Sequence, residues 1–359
     1  MTSRVPSLVR SGWWVAVAGI LVALTILVLA WRAPEDRGRA LQGDGRDPAT
    51  YGFDLTRTNL PPGAIVASGM PRDGLMALVE PEMLTAADVE ALNREGRGKF
   101  LLSTDRVVGV EVGGEARAYP VRFMRWHEVV NDVVGGVPVL VTYNPLCDAA
   151  VASVRTIADR VTEFGVSGLV WNSNILLYDR GPDAAPGSLW SQISARAVVG
   201  PAAADGESLD LLPVSLCTWG QWRERHPESL ILAPLEHLHR VYKRDPYHSY
   251  FGSDVLRFPV DPLPPGDDLA VKERVVIITV DGENGVFALS RIAAASGART
   301  GTWTTTVNHL PITVDFDLEH GAAVARWTDA PERKVSSRHA FWFAWYAQHP
   351  DTPSPGPLP

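Results

Sequence analysis

One long apolar run stands near the start of the chain, where Trp13 to Trp31 reads WWVAVAGILVALTILVLAW without a charge or a proline. As a helix it spans about 28 Å, close to the hydrocarbon thickness of a bilayer. Tryptophans at both ends suit the two membrane interfaces. The pattern predicts a transmembrane anchor over 13–31, and an uncleaved anchor is favoured over a cleaved signal because no convincing small-x-small site follows. Residues 32–58 are rich in Gly, Arg and Asp and lack apolar periodicity, which predicts a tether. The remainder, 59–359, reads as a globular body.

Within the body, short β-type runs outnumber helical ones. Pro138–Tyr143, Val151–Arg155, Val161–Val166 and Leu169–Asp179 are punctuated by Gly, Pro, Asn and Asp, and a hairpin is expected across Ala158, Asp159 and Arg160. Thr85 is a candidate N-cap for a helix within Glu80–Glu95, with Val89 and Leu92 on one face and Gly96 and Gly98 at its end. Further helices are expected near Met124–Val133, near Trp219–Arg225 and at the C-terminal end. The fold class is therefore α+β and β-rich.

Self-comparison shows three echoes in the same order. Arg106 to Val112 (RVVGVEV) is echoed by Arg274 to Val280 (RVVIITV), and each run leads into a Gly-containing turn. Ala149-Ala150-Val151-Ala152 recurs as Ala322-Ala323-Val324-Ala325. Trp219-x2-Trp222-x3-His226-Pro227 recurs as Trp342-x2-Trp345-x3-His349-Pro350. Ordered echoes predict an internal duplication, with a first half at about 100–259 and a shorter second half at about 270–352. The segment without a counterpart is roughly Glu163 to Pro213, and chemistry is expected there or beside it. The Trp-Trp-His pattern lies at helical spacing and reads as a core-facing helix with a capping histidine.

Composition fits a folded chain of 359 residues, 46% hydrophobic and 21% charged. A net charge of −8 with no local Lys/Arg run excludes a nucleic-acid footprint. Arg4 and Arg10 precede the apolar span while Arg32, Arg37 and Arg39 follow it, so positive charge alone does not orient it. A short basic tail before a lone N-terminal span usually stays in the cytoplasm. The expectation is a cytoplasmic tail over 1–12 and a single-pass protein of the cell membrane whose body is extracytoplasmic.

Only Cys147 and Cys217 could supply thiols. Cys147 follows a strand and an Asn-Pro turn, a loop that can present a group at the end of a sheet. A thiolate forms readily only beside a cation, a metal or a helix N-terminus. His127, on an expected helix beside Glu128, could be such a neighbour and would make Cys147 and His127 a catalytic or metal-binding pair. Three plainer alternatives stand beside this: a buried structural thiol, a core histidine bonded elsewhere, and a Cys147–Cys217 disulfide contributing roughly 3–5 kcal/mol. Strand alternation over Trp171–Asn174 would put Asn172 and Asn174 on one face and Ser173 on the other. With Tyr178, Trp190 and Gln192 these groups either stitch the core or line a pocket. Tyr178, Asp179 and Arg180 add an ion-pair candidate at a strand end. His237, His239 and His248 form a weak metal pattern that reads better as a solvated loop. The sequence has no phosphate-binding loop, dinucleotide fingerprint, HExxH or GxSxG.

The blocks AYPVRFMRWHEVVNDVVGGVPVLVTYNPLCDAAV (118–151), FGVSGLVWNSNILLYDR (164–180), SLWSQ (188–192) and TWGQWRERHPESLIL (218–232), with the C-terminal FWFAW-x3-HPDT, resemble the DUF3179 family. That family is defined by sequence and carries no established reaction. Its members commonly show Cys-Pro-Leu-Cys where this chain has Asn144-Pro145-Leu146-Cys147, and some relatives are selenoproteins. The resemblance thus implies thiol-redox or soft-transition-metal chemistry with a small-molecule or redox partner. Asn144 in the first cysteine position removes a local dithiol. Two readings follow. One is thiol-redox or soft-metal chemistry centred on Cys147 and His127; the other is a non-enzymatic envelope binding module with a structural Cys147. Both give Asn144, Asn172, Asn174, Tyr178, Trp190 and Gln192 to a ligand pocket.

Overall fold

Two-residue turns with both residues at positive φ join many of the strands, the geometry that matches strand twist in tight hairpins. Gly135 and Gly136 sit at 55° and 79°, and Asn172 and Ser173 at 51° and 60°. The computed structural model describes residues 42–95, 100–181, 186–266 and 269–355. The membrane span expected over 13–31 lies outside these residues. Among the described residues no helix is long and apolar enough to cross a membrane.

The body is β-rich with few helices. After α1 (Ala86–Glu95), the chain forms β1 (Arg106–Val112), β2 (Glu115–Pro120), α2 (Val121–His127), β3 (Val129–Val134), β4 (Val137–Asn144) and β5 (Ala149–Val154). An inserted series follows, comprising β6 (Glu163–Trp171), β7 (Asn174–Arg180), β8 (Pro186–Ser191) and β9 (Arg196–Val199). Then come β10 (Ser215–Thr218) and α3 (Trp219–Arg225). Beyond residue 270 the order is β11 (Arg274–Val280), β12 (Glu283–Ala288), α4 (Leu289–Ser296), β13 (Thr300–Val307), β14 (Leu310–Asp317), β15 (Ala322–Trp327), β16 (Ser337–Phe341) and α5 (Trp342–Tyr346). With the insert removed, the succession ββαβββ, then βα, occurs twice.

These elements interleave in two large sheets. One has the order β12-β11-β16-β5-β4-β3, extended by Leu78–Val79; the other has β2-β1-β10-β15-β14-β13, extended beyond β2 by Leu230–Leu232 and Met83–Leu84. Each sheet takes three strands from the series before residue 220 and three from the series beyond residue 270, in the same relative positions. The two series meet at single residue pairs, His339 with Ala150 and Leu216 with Ala323. Val107, Val108 and Val110 of one sheet share a core with Val130, Val139, Val141 and Tyr143 of the other, so the sheets pack face to face. The insert, with Ile65–Ala67, forms a third sheet. Its Phe164, Leu177 and Trp190 pack with Val129 and Leu140 of the first sheet.

Several expectations need correction. The run Leu169–Asp179 is broken by the Asn172–Ser173 turn, so simple alternation does not assign faces there. The turn at Ala158–Asp159 exists but closes only a two-residue hairpin, Thr156–Ile157 with Arg160–Val161, while the longer runs beside it enter different sheets. The helix expected near Met124–Val133 spans Val121–His127, because Glu128 takes a left-handed conformation (φ 61°) and the β-branched residues after it extend as β3. Within the stretch read as a tether, Tyr51 is fully buried, and its hydroxyl donates to Met70 O at 2.7 Å. Thr85 caps α1 as expected, its Oγ1 accepting from Asp88 N at 3.2 Å.

Candidate functional site

Cys147 lies in the turn from β4 to β5, fully buried, with its Sγ donating to Ser173 O at 3.3 Å. Burial pushes the thiol well up, against a hydrogen bond from Asn174, and the Glu128 and Asp148 carboxyls push it further. None of the leading influences on it is a cation, the kind of neighbour that favours a reactive thiolate. His127 is buried and engaged at both nitrogens, Nδ1 at 2.8 Å from Met76 O and Nε2 at 2.6 Å from Tyr242 Oη. Burial pushes the pKa of its imidazole down. His127 thus makes no bond to Cys147, and the expected pair is not formed. The disulfide alternative fails as well, because Cys147 and Cys217 are free thiols in separate core clusters. Among the described residues no three His, Cys, Asp or Glu groups stand together as a metal cage.

The polar groups of the insert bond to one another and to backbone. Asn144 Nδ2 lies 3.8 Å from Cys147 Sγ, and its Oδ1 accepts from Leu146 N at 2.9 Å. Asn174 donates to Gln192 Oε1 at 2.9 Å, and Gln192 donates to Thr142 Oγ1 and Ala149 O. Asn172 donates to Asp261 O and Ala347 O, and accepts from Asp261 N at 2.9 Å. Trp190 Nε1 donates to Asp179 at 3.2 Å, while the Tyr178 hydroxyl donates to Asp73, which also pairs with Arg180. The Gln192 bonds fasten the third sheet to β4 and β5 of the first. His237, His239 and His248 are exposed.

A different group of residues surrounds an opening in the body. A cleft of about 370 Å³ is lined by Arg106, Arg122, Arg125 and Arg274, with Asp105, Asp245, His248, Phe251, Glu319 and His320 among its other walls. Three elements bring the guanidiniums: Arg122 and Arg125 stand one turn apart on α2, and Arg106 and Arg274 open the strands β1 and β11. Arg125 pairs with Asp245 at 2.6 Å and lies over the Phe251 ring, while Arg122 is 3.6 Å from Asp105.

Asp148 anchors the floor. Its Oδ1 is 3.0 Å from Arg106 Nη1, its Oδ2 is 2.6 Å from Arg274 Nε, and Oδ1 also accepts from the Tyr143 hydroxyl at 2.6 Å. Burial alone would raise this carboxyl, but Arg106 and Arg274 outweigh it and hold the group well below the usual carboxylate range.

The neighbourhood of that floor is short of partners. Arg106 Nε and Nη2, Arg125 Nε, His339 Nε2 and Trp342 Nε1 are buried and have no hydrogen-bond partner among the described residues. Buried polar groups are normally satisfied by protein or by ordered water. Glu128 adds a carboxyl that is 3% exposed and has no hydrogen bond or ion pair to its side chain among the described residues. Burial lifts it to about 8.

Sequence reasoning passed over these groups, although one signal was present. Arg106 and Arg274 are the first residues of the first echo, so the same charged residue heads two otherwise apolar runs. Nothing local marked Asp148 or Glu128, whose environments are made by segments far away in the chain.

A family model described as "Protein of unknown function (DUF3179)" matches residues 72–352. No curated protein and no solved structure matches the chain.

Proposed function

Taking as premise that the chain belongs to the DUF3179 family, we propose that its body is an extracytoplasmic binding module, anchored through residues 13–31, that takes a small anionic ligand in the arginine-lined cleft. The observation that carries this is the convergence of Arg106, Arg122, Arg125 and Arg274 on one cleft. Guanidinium groups in a partly desolvated recess attract oxyanions more strongly than the same groups on an open surface. Buried donors left without partners beneath them add to that attraction.

Thiol-redox or soft-metal chemistry is the weaker reading. Cys147 has no activating cation and His127 is occupied. A structural Cys147 suits the binding reading. An origin by duplication is part of the same proposal: it rests on the three sequence echoes, and the repeated element order supports it. The cleft would then lie where equivalent strands of the two halves begin.

The test is calorimetric titration of the full chain in detergent, at low salt, with phosphate, sulfate and succinate. Binding that weakens with added salt and is lost in Arg122→Gln/Arg125→Gln supports the proposal. Equal heats in the wild type and that variant would overturn it.

A further inference from the structure

Arg274 is tied to Asp148 through Nε alone. Nε lies 2.6 Å from Oδ2, and no bond to Nη1 or Nη2 stands among the described residues. The Arg274 side chain is 35% exposed, whereas that of Arg106 is 13% exposed. Their duties therefore differ: Arg106 and Asp148 make a buried base, and Arg274 reaches from that base to the accessible part of the cleft. A guanidinium held at Nε keeps its two terminal nitrogens as a planar pair of donors. Such a pair matches two oxygens of a carboxylate or phosphoryl group, and a lysine ammonium cannot reproduce it.

Gly321, in the turn between β14 and β15, makes this placement possible. Its φ is +59°, and a Cβ there would lie 2.5 Å from Cδ and from Nε of Arg274, and 2.9 Å from Cζ. Arg274 thus runs directly over bare backbone. Position 321 precedes Ala322 as position 148 precedes Ala149. One turn supplies the anchoring carboxylate and its counterpart supplies the clearance. Asp105 and Asp245 do not compete for Arg274, since they are engaged by Arg122 and Arg125.

We infer that Arg274, anchored by Asp148 and cleared by Gly321, receives the head of the ligand, and that this head is an oxoanion presenting two oxygens together, a carboxylate or a phosphoryl group. The inference rests on the cleft being an anion site. Gly321 is a positioning residue, acting only through Arg274.

The experiment titrates the full chain in detergent with succinate, inorganic phosphate and bromide, a spherical anion of the same sign. The proteins compared are the wild type, Arg274→Lys, Gly321→Ala, their double variant and Arg122→Gln. Succinate or phosphate is expected to bind the wild type well ahead of bromide, and whichever binds more tightly identifies the head. Arg274→Lys keeps the charge but loses the paired donors, and is expected to weaken binding about tenfold. Gly321→Ala is expected to weaken it comparably, with no further loss in the double variant. If Arg274→Lys binds as the wild type does while Arg122→Gln abolishes binding, the cleft stands and Arg274 is not the receptor. Losses that multiply in the double variant would remove Gly321 from its role, and bromide binding as tightly as phosphate would remove the two-oxygen head. Absence of binding by all three anions would overturn both this inference and the anion-binding reading.

Discussion

Arg106 and Arg274 close on the same carboxylate from different sheets, the first with Nη1 at 3.0 Å from Asp148 Oδ1 and the second with Nε at 2.6 Å from Oδ2. Each begins a strand at the same place in the repeated succession β1-β2-α2 and β11-β12-α4. Asp148 is thus an electrostatic fastening between the sheets as well as the floor of the cleft.

Asp148→Asn removes the counter-charge and leaves two guanidiniums facing a neutral amide. Breaking one side of a buried ion pair typically costs about 3–5 kcal/mol, and a loss in that range is expected from denaturant unfolding at pH 7. The folded carboxyl sits below its unfolded value. Its stabilisation is therefore fully present above the ordinary Asp range of about 4 and is lost as the pH falls below it. Wild-type stability should drop through that acid range, with a shallower drop in the Asn variant. A cost below about 1 kcal/mol would mean that the pair is no fastening.

Glu128 should behave in the opposite way. Its carboxyl is raised to about 8 by burial, so the folded protein holds a proton that the unfolded chain releases near pH 4 to 5. Stability contributed by this group is present in acid, declines as the pH rises from there to about 8, and levels off above. Glu128→Gln keeps the shape without the titration and is expected to stabilise the protein at pH 8 by roughly 2–5 kcal/mol relative to its effect at pH 5. Urea unfolding of both proteins across that interval measures the difference. Parallel curves would show that Glu128 ionises freely in the folded state.

The β-rich character and many of the strands were legible because they are written locally. Alternating apolar residues, Gly and Asn turns and the Trp-x2-Trp-x3-His pattern each act over a few residues. The sheet order was not legible: β1 pairs with β10 across the whole insert, and β5 meets β16 through Ala150 and His339. No local signal encodes such distant partners. The hydrogen-bond partners of the expected site residues were hidden for the same reason. Asn172, Asn174 and Gln192 looked like pocket residues because the sequence could not show that Asp261, Ala347 and Thr142 would take their hydrogen bonds. Asp148 stood beside Cys147 in the sequence, but its two arginines arrive from residues 106 and 274.

Neither thiol should react in the folded protein. Cys147 and Cys217 are buried, and burial raises Cys217 to about 12 and Cys147 further still. Titration with an aromatic disulfide reagent at pH 8 is expected to label no thiol in the native chain and two after denaturation. Cys147→Ser is expected to leave anion binding intact. Rapid native labelling of Cys147 would return thiol chemistry to the cleft's neighbourhood.

Trp222 connects the repeated motif to the strand that carries Arg106. Its indole is fully buried, donates to Ser229 Oγ at 2.7 Å and stacks near His226, with ring centroids 4.2 Å apart. The ring lies over Gly109 of β1 so closely that a methyl group there would fall within it. Gly109→Ala must therefore displace the indole, at roughly 1–3 kcal/mol, the usual cost of overpacking. Ser229→Ala strands a buried indole N–H and is expected to cost about 1–3 kcal/mol by a separate mechanism. Once the alanine at position 109 has moved the ring, little of the Ser229 bond remains to be lost. The double variant should then be less destabilised than the two single variants taken together, as urea unfolding would show. Full additivity would mean that the ring keeps its place and that β1 bends instead, carrying Arg106 away from Asp148. Weakened anion binding in Gly109→Ala alone would reveal that outcome.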